Sequence, residues 1–430
     1  MMSVLRVGIA GLGTVGAGVV DVLQRHRDLL AARCRRPIEI VAVNARDRDR
    51  DRGVDLAGYR WVDDARDLAG DPEVDVVAEM IGGEDGIALE LAEKALASGQ
   101  HLVTANKALL AVHGTKLAQA ADSSGVHVGF EAAVAGGIPI IKALREGLAG
   151  NAITRLYGIL NGTSNYIMTA MRDHGSPFDE VLAEAQRLGY AESDPALDIG
   201  GGDAAHKLAI MAAIAFRRPV DFAGVHVEGI EKITPMDISF AQEFGYRIKL
   251  LGIAQAGEHG VEQRVHPCMV PESGPIAHVD GVFNAVVVEG DFVDATTYVG
   301  RGAGAGPTAS AVVADLVDIA RGARLPMFNV PAAELHAGQS AAIEQRHGAY
   351  YIRLMVIDRP GVIADISAIL RDEAISMGSL LQRGRDPQEI VPVVMTTHEV
   401  EEAAMLRALV RIGDLDAVAE PPLTIRIEQL

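Results

Sequence analysis

Between Gln186 and Leu208 the chain reads QRLGYAESDPALDIGGGDAAHKL, gathering Glu192, Asp194, Asp198, Asp203 and Lys207 around the glycine run Gly200 to Gly202. A helix is expected to begin at Asp203 and to continue through the small and apolar residues of DAAHKLAIMAAIAF. Helical spacing then places Lys207 one turn beyond Asp203 on the same face. Carboxylates at the mouth of an apolar helix, with an ammonium beside them, can grip a small zwitterion and move a proton. Spacing alone equally admits a solvated acidic loop in which Asp203 only caps the helix.

A second constellation stands near the start. Val4 to Ala10 reads as a buried parallel strand, followed by Gly11-Leu12-Gly13-Thr14-Val15-Gly16 and a helix to about Leu30. A GxGxxG run between strand and helix lets a pyrophosphate approach the helix N-terminus, where unpaired N–H groups and the dipole favour anions. At the end of the next strand, Ile38 to Val43, an acidic residue would bind the ribose 2′-hydroxyl of NAD. Asn44 stands there instead, and Arg46 follows. Arg46 can pair with a 2′-phosphate, which favours NADP over NAD. Arg48, Arg50 and Arg52, interleaved with aspartates, also fit a solvated loop.

The elements that must position these residues alternate as strand and helix up to about Gly137, as in a doubly wound parallel sheet. Strands are expected at 74–80 and 101–104, with a helix over 84–97. Beyond Gly137 the pattern changes to strands at 153–160, 248–254, 264–270 and 284–289, with helices at 164–172 and 177–188. Ser176 is expected to cap the second of these helices, with Pro177 at its first position. A glycine-rich segment, Gly300 to Gly306, leads into a helix over 308–325 that returns to the first domain. After a polar linker, 349–430 reads as βαββαβ, the order of a ferredoxin-like unit. The expected fold is therefore α/β: a Rossmann-type dinucleotide-binding domain (1–136), an α+β second domain (137–307), for which the resemblance given below implies a substrate and dimerisation role, and a small C-terminal domain (349–430).

Length agrees, since 430 residues exceed one ordinary core. A net charge of −19 argues against nucleic acid, which needs clustered cations. Cys34 and Cys268 form no disulfide framework and show no metal-ligand spacing. The opening MMSVLRVGIAG runs almost directly into a strand, and no apolar run reaches membrane-spanning length. A cytoplasmic protein is expected.

The string from Gln186 to Leu208 closely resembles the substrate-binding signature of homoserine dehydrogenases. Thr104-Ala105-Asn106-Lys107, the segment from Glu131 to Pro139, Asn161-Gly162-Thr163-Ser164-Asn165-Tyr166 and GLGTVG match the same pattern, in order, over about the first 320 residues. The resemblance implies nicotinamide-dependent interconversion of L-aspartate 4-semialdehyde and L-homoserine, a step of threonine, methionine and isoleucine biosynthesis. By the family's pattern Lys207 is the proton donor. Lys107 faces cofactor and substrate, either as a second proton-transfer group or as an electrostatic anchor. Glu192 and Asp203 would hold the substrate ammonium, and Asp198 would orient Lys207. A monovalent cation, Na+, is implied at Glu131 and the backbone carbonyls of Val134, Gly136 and Ile138. Gly302 and Gly304 would touch the cofactor.

Val356-Ile357-Asp358-Arg359-Pro360-Gly361-Val362-Ile363 resembles the first loop of ACT domains, which pair through their sheets and bind amino acids. L-threonine is the implied effector, with Asp358 on its ammonium and Gly361 admitting its backbone groups; a purely oligomerising role stays open. The ACT sheet edge and the second domain's sheet both offer self-association surfaces for a homodimer or homotetramer. Two rivals stand beside this reading: another NADP-dependent dehydrogenase of a small aldehyde, and an amino-acid sensor without catalysis.

Overall fold

A computed structural model describes residues 4–383 and 389–430. Six parallel strands form the first sheet, in the order Arg60–Trp61, Ile38–Asn44, Leu5–Ala10, Val76–Glu79, His101–Thr104, Val128–Gly129. The strands are built from β-branched and small residues buried on both faces, as a covered parallel sheet requires. Thr14–Arg25 and the returning helix Ala305–Ala320 cover one face through Val19, Val20, Leu23, Val312 and Leu316. Ile87–Ala97 and Lys107–Ser124 cover the other through Leu91, Leu96, Leu109 and Leu117. Each fully buried side chain of this size contributes about 1.5–3 kcal/mol. Strand order reverses between Leu5–Ala10 and Val76–Glu79, so a crevice opens at their carboxyl ends, where such sheets bind ligands.

Several local expectations shift. The helix expected to reach Leu30 breaks at His26, and Arg27–Cys34 is a separate helix. The returning helix starts at Ala305 and ends at Ala320, because Gly304 supplies the positive φ of 116° that its start requires. Ser176 does not cap the next helix; Pro177 is the capping residue of Phe178–Arg187. The edge strand Asp294–Arg301 was not expected, since its polar, half-exposed residues lack an apolar run.

The second sheet holds the larger surprise. Asp294–Arg301, Phe283–Gly290, Ile153–Ile159, Tyr246–Gly257 and Gly260–Pro271 pair in that order. The sheet then continues without a break through Leu423–Ile427, His347–Ile357, Ile390–Thr397 and Met377–Gln382 of the C-terminal unit. Cys268 and Met269 pair in parallel with Arg426 and Ile427, and the Glu428 N–H donates to the Met269 carbonyl at 2.9 Å. The join pairs one edge of each sheet within the chain and leaves Asp294–Arg301 and Met377–Gln382 at the outer ends of the paired order. The C-terminal unit has the expected βαββαβ order. Its helices Val362–Asp372 and Glu402–Gly413 pack on alternate residues of one strand, Tyr350, Ile352, Leu354 and Val356.

Charges lock this seam. Glu428 accepts from Arg264 at 3.0 Å and Arg346 at 2.8 Å. Arg426 pairs with Glu402 at 2.5 Å and with Glu228 at 2.9 Å, and the Tyr350 hydroxyl donates to Glu402 at 2.6 Å. Buried pairs of this kind add little net stability over apolar replacements, but breaking one from one side costs about 3–5 kcal/mol.

Candidate active site

The helix Gly202–Phe216 begins one residue earlier than expected, with Gly201 at its cap and no side-chain cap bond. Asp203 therefore is not a capping residue in a solvated loop. Its carboxylate, 4% exposed, meets Lys107 Nζ at 2.9 Å through Oδ1. Through Oδ2 it meets Lys207 Nζ at 2.7 Å and Asn161 Nδ2 at 2.8 Å. Lys207 Nζ also donates to the Leu160 carbonyl at 2.7 Å, which fixes its direction. Burial alone would raise the Asp203 carboxyl; the two ammonium groups outweigh it and hold the group far below the usual carboxylate range. Burial likewise opposes the charge on Lys107, but Asp203, Asp198 and Glu192 keep its ammonium above its ordinary pKa.

Lys107 is the first residue of Lys107–Ser124, whose cap Asn106 accepts from the Leu109 N–H at 3.1 Å. That start follows directly on the strand His101–Thr104, so the lysine emerges at the carboxyl end of the first sheet. Lys207 comes from the second domain. Asp203 is the group that ties the two together.

Asp198 takes a different part from the one expected. The carboxylate on Lys207 is that of Asp203, whereas Asp198 accepts from Asn161 Nδ2 at 2.7 Å. The reason is local: Asp198 lies on the short helix Ala196–Ile199, and Asn161 stands between it and Asp203. Burial and the Asp203 charge push the Asp198 carboxyl above its ordinary value. Asn161 is thus a working residue that the sequence placed in a motif without a role. It caps Gly162–His174 through the Ser164 N–H at 2.7 Å and gives its amide hydrogens to two carboxylates.

One cavity of 620 Å³ is lined by Lys107, Glu192, Asp198, Asp203 and Lys207, together with Val15, Gly302 and Gly304. Glu192 is exposed at its rim. A second cleft of 540 Å³ is lined by Gly11, Leu12, Gly13, Asn44 and Arg46. The turn from Gly11 to Gly16 therefore links both spaces. Gly11 has φ +95°, and a Cβ there would fall 2.6 Å from the Met80 carbonyl oxygen; a Cβ at Gly16 would fall 2.0 Å from that of Gly11. Around Gly13, which caps the Thr14 helix, a Cβ would meet nothing within 4 Å, leaving room for a ligand.

Asn44 donates to the Val62 and Asp63 carbonyls at 2.8 and 3.1 Å, bracing the floor of this cleft. The arginine loop is more ordered than a solvated run. Arg52 donates to the Leu12 carbonyl at 3.0 Å, and Arg48 and Arg52 lie over the Trp61 ring at 5.5 and 5.9 Å. Arg46 remains exposed beside them.

Glu131, 2% exposed, accepts from the N–H groups of Ile141 and Lys142 at 2.9 and 2.8 Å. Burial and the nearby Asp315 push its carboxyl up to about 7. Val134, Gly136 and Ile138 follow in the same buried turn. In the C-terminal unit Gly361 has φ +99° and caps Val362–Asp372, while Asp358 accepts from Gln382 at 3.3 Å. His266, Cys268 and Glu428 come within 4.8 Å of one another. Arg264 and Arg346 already occupy Glu428 there, and their charge opposes a cation.

Family models match three stretches: the homoserine dehydrogenase NAD binding domain over residues 11–131, homoserine dehydrogenase over 139–317, and the ACT domain over 350–414. A homoserine dehydrogenase of Pseudomonas aeruginosa is 47% identical, with 100% of each chain covered. The chain belongs to the homoserine dehydrogenase family. Another homoserine dehydrogenase, from Neisseria gonorrhoeae, is 45% identical over 100% of each chain. The crystal structure of a homoserine dehydrogenase from Thiobacillus denitrificans superposes with a TM-score of 0.94 at 48% identity, covering 100% of this chain and 99% of that one. The family places a nicotinamide cofactor on the first domain and makes the C-terminal unit an ACT domain. No helix among the described residues is long and apolar enough to cross a membrane.

Proposed function

We propose that this chain interconverts L-homoserine and L-aspartate 4-semialdehyde, with NADP preferred over NAD and with Lys207 as the proton-transfer group. The observation that carries the reading is the carboxylate of Asp203 bonded to Lys207 and Lys107 within one cavity. When bound, the nicotinamide supplies or accepts the hydride. The chain's own residues do the rest. In reduction, the Lys207 ammonium delivers a proton to the carbonyl oxygen as negative charge develops there. Asp203 and the Leu160 carbonyl keep that ammonium in place. Lys107 adds a second positive charge. Glu192 and Asp203 take the substrate ammonium, and Asp198 supports them through Asn161.

Arg46 at the end of the second strand carries the NADP preference, since Asn44 there brings no carboxylate to a ribose hydroxyl. Gly302 and Gly304 border the cavity of Asp203 and the two lysines, beside Val15 of the dinucleotide turn. Glu131 and the carbonyls of Val134, Gly136 and Ile138 would supply oxygen donors of the kind a hard cation such as Na+ accepts. A cation there would steady the turn joining the domains. L-threonine is the proposed effector at Asp358 and Gly361, and self-association through the outer strands gives a homodimer or homotetramer in the cytoplasm.

The test is cofactor reduction from L-homoserine with NADP and with NAD. Turnover with a higher kcat/KM for NADP supports the reading. A well-folded protein that turns over neither contradicts it.

A further inference from the structure

Asn284 lies on Phe283–Gly290, in the wall of the catalytic cavity, and is 1% exposed. Among the described residues neither its amide nitrogen nor its amide oxygen has a hydrogen-bond partner. Buried polar atoms are almost always paired, because an amide that leaves water without a partner loses its hydration uncompensated. An orphaned amide in the wall of a binding cavity points to a partner that arrives with a ligand.

Position narrows the choice. The amide lies against Gly302, where a Cβ would fall 2.2–2.4 Å from its Cγ, Nδ2 and Oδ1. A Cβ at Gly162 would fall 3.5 Å from its Oδ1. The amide therefore packs directly against the Gly302 backbone, which borders the same cavity. Gly302 leads into Ala305–Ala320, which packs on the helix of the dinucleotide turn: a Cβ at Gly18 would fall 3.0 Å from the Ala305 carbonyl oxygen. Gly162 opens the helix capped by Asn161, which holds Asp198 and Asp203. Asn284 thus stands between the cofactor half and the substrate half of the site. The charged ends of an amino acid already have Asp203, Glu192 and Lys107 for partners. A paired donor and acceptor on one planar group complements another amide, and the nicotinamide ring carries a carboxamide.

We propose that Asn284 binds the carboxamide of the nicotinamide ring and sets the rotation of that ring over the substrate. This rests on the cofactor reading above. It adds a cofactor contact from the second domain, at a residue outside the glycine-rich motifs.

The test titrates wild type, Asn284→Ala and Asn284→Leu by calorimetry with NADPH and with its 3-acetylpyridine analogue, whose methyl ketone keeps the acceptor and lacks the donors. Ligand-free melting is measured alongside. The expected result is NADPH binding weakened about tenfold in both variants, while the analogue loses less than about threefold. Asn284→Leu without ligand should melt at or above the wild-type temperature, because an unpaired buried amide stabilises nothing. Equal weakening of both ligands with a lowered ligand-free Tm would mean a packing role and overturn the proposal. Unchanged NADPH binding with a raised KM for homoserine would move the partner to the substrate and overturn it as well. Failure of wild type to bind NADPH at all would refute the cofactor reading itself.

Discussion

Asp203 gives one carboxylate oxygen to each of two lysines that belong to different domains, Lys107 at 2.9 Å and Lys207 at 2.7 Å. A single acidic group so placed supplies the counter-charge to both ammonium groups and ties the cofactor sheet to the substrate helix. Replacing it by its amide tests this. Asp203→Asn is expected to lower kcat by about two to four decades. It should also lower stability by about 3–5 kcal/mol, since the buried Lys207 loses its counter-charge. Steady-state kinetics and urea unfolding would read the two effects separately.

Asn161 stands between Asp198 and Asp203, donating to both. Asn161→Ala leaves two neighbouring carboxylates without the donor that reconciles them, at a cost of about 1–3 kcal/mol. Asp198, already raised by burial and by Asp203, rises further. The KM for homoserine should climb while that for the cofactor stays close to wild type, as initial-rate measurements with each substrate varied would check.

Arg46 lines the cleft where a 2′-phosphate would sit. Arg46→Ala should raise the KM for NADP about tenfold, equivalent to about 1.4 kcal/mol, and leave that for NAD unchanged. Equal effects on both cofactors would remove Arg46 as the discriminating residue.

The glycine turn, the Lys107 strand end and the 186–208 string were legible because each is local: a few adjacent residues fix strand, turn and helix, and the chemistry rides on them. That Lys207 shares a helical face with Asp203 was legible for the same reason, being one helical turn; that Asp203 rather than Asp198 holds its ammonium was not. Asn161 as a bridge was not, since its partners lie 37 and 42 residues away and an amide carries no distinctive signal. Nor was the seam. Arg264 and Glu428 are 164 residues apart, and nothing in a βαββαβ pattern says which outer strand another sheet will extend. Hydrophobic period identifies a strand; its neighbour across a domain join is decided by edge hydrogen bonds and side-chain register that only the folded chain reveals.

At that seam Glu228 accepts from His226 at 2.7 Å and meets Arg426 at 2.9 Å. Burial would raise its carboxyl, but these two partners bring it down from 4.5 to about 2. A depressed carboxyl contributes stability that is fully present above the unfolded value and is lost as pH falls through the folded one. Glu228→Gln should therefore cost on the order of 1 kcal/mol at neutral pH, the side chain being 40% exposed and partly screened. The difference from wild type should shrink as pH falls from about 4.5 toward about 2. Denaturant unfolding at neutral pH and at about pH 3 would show it; a constant difference would contradict it.

The most direct test of the account is NADPH formation from L-homoserine by wild type and Lys207→Ala, with cofactor affinity measured in parallel. A fall in kcat of about two to four decades, with cofactor binding unchanged, is the result expected of the proton-transfer group. A folded Lys207→Ala variant that keeps most of the wild-type rate would contradict the assignment of Lys207.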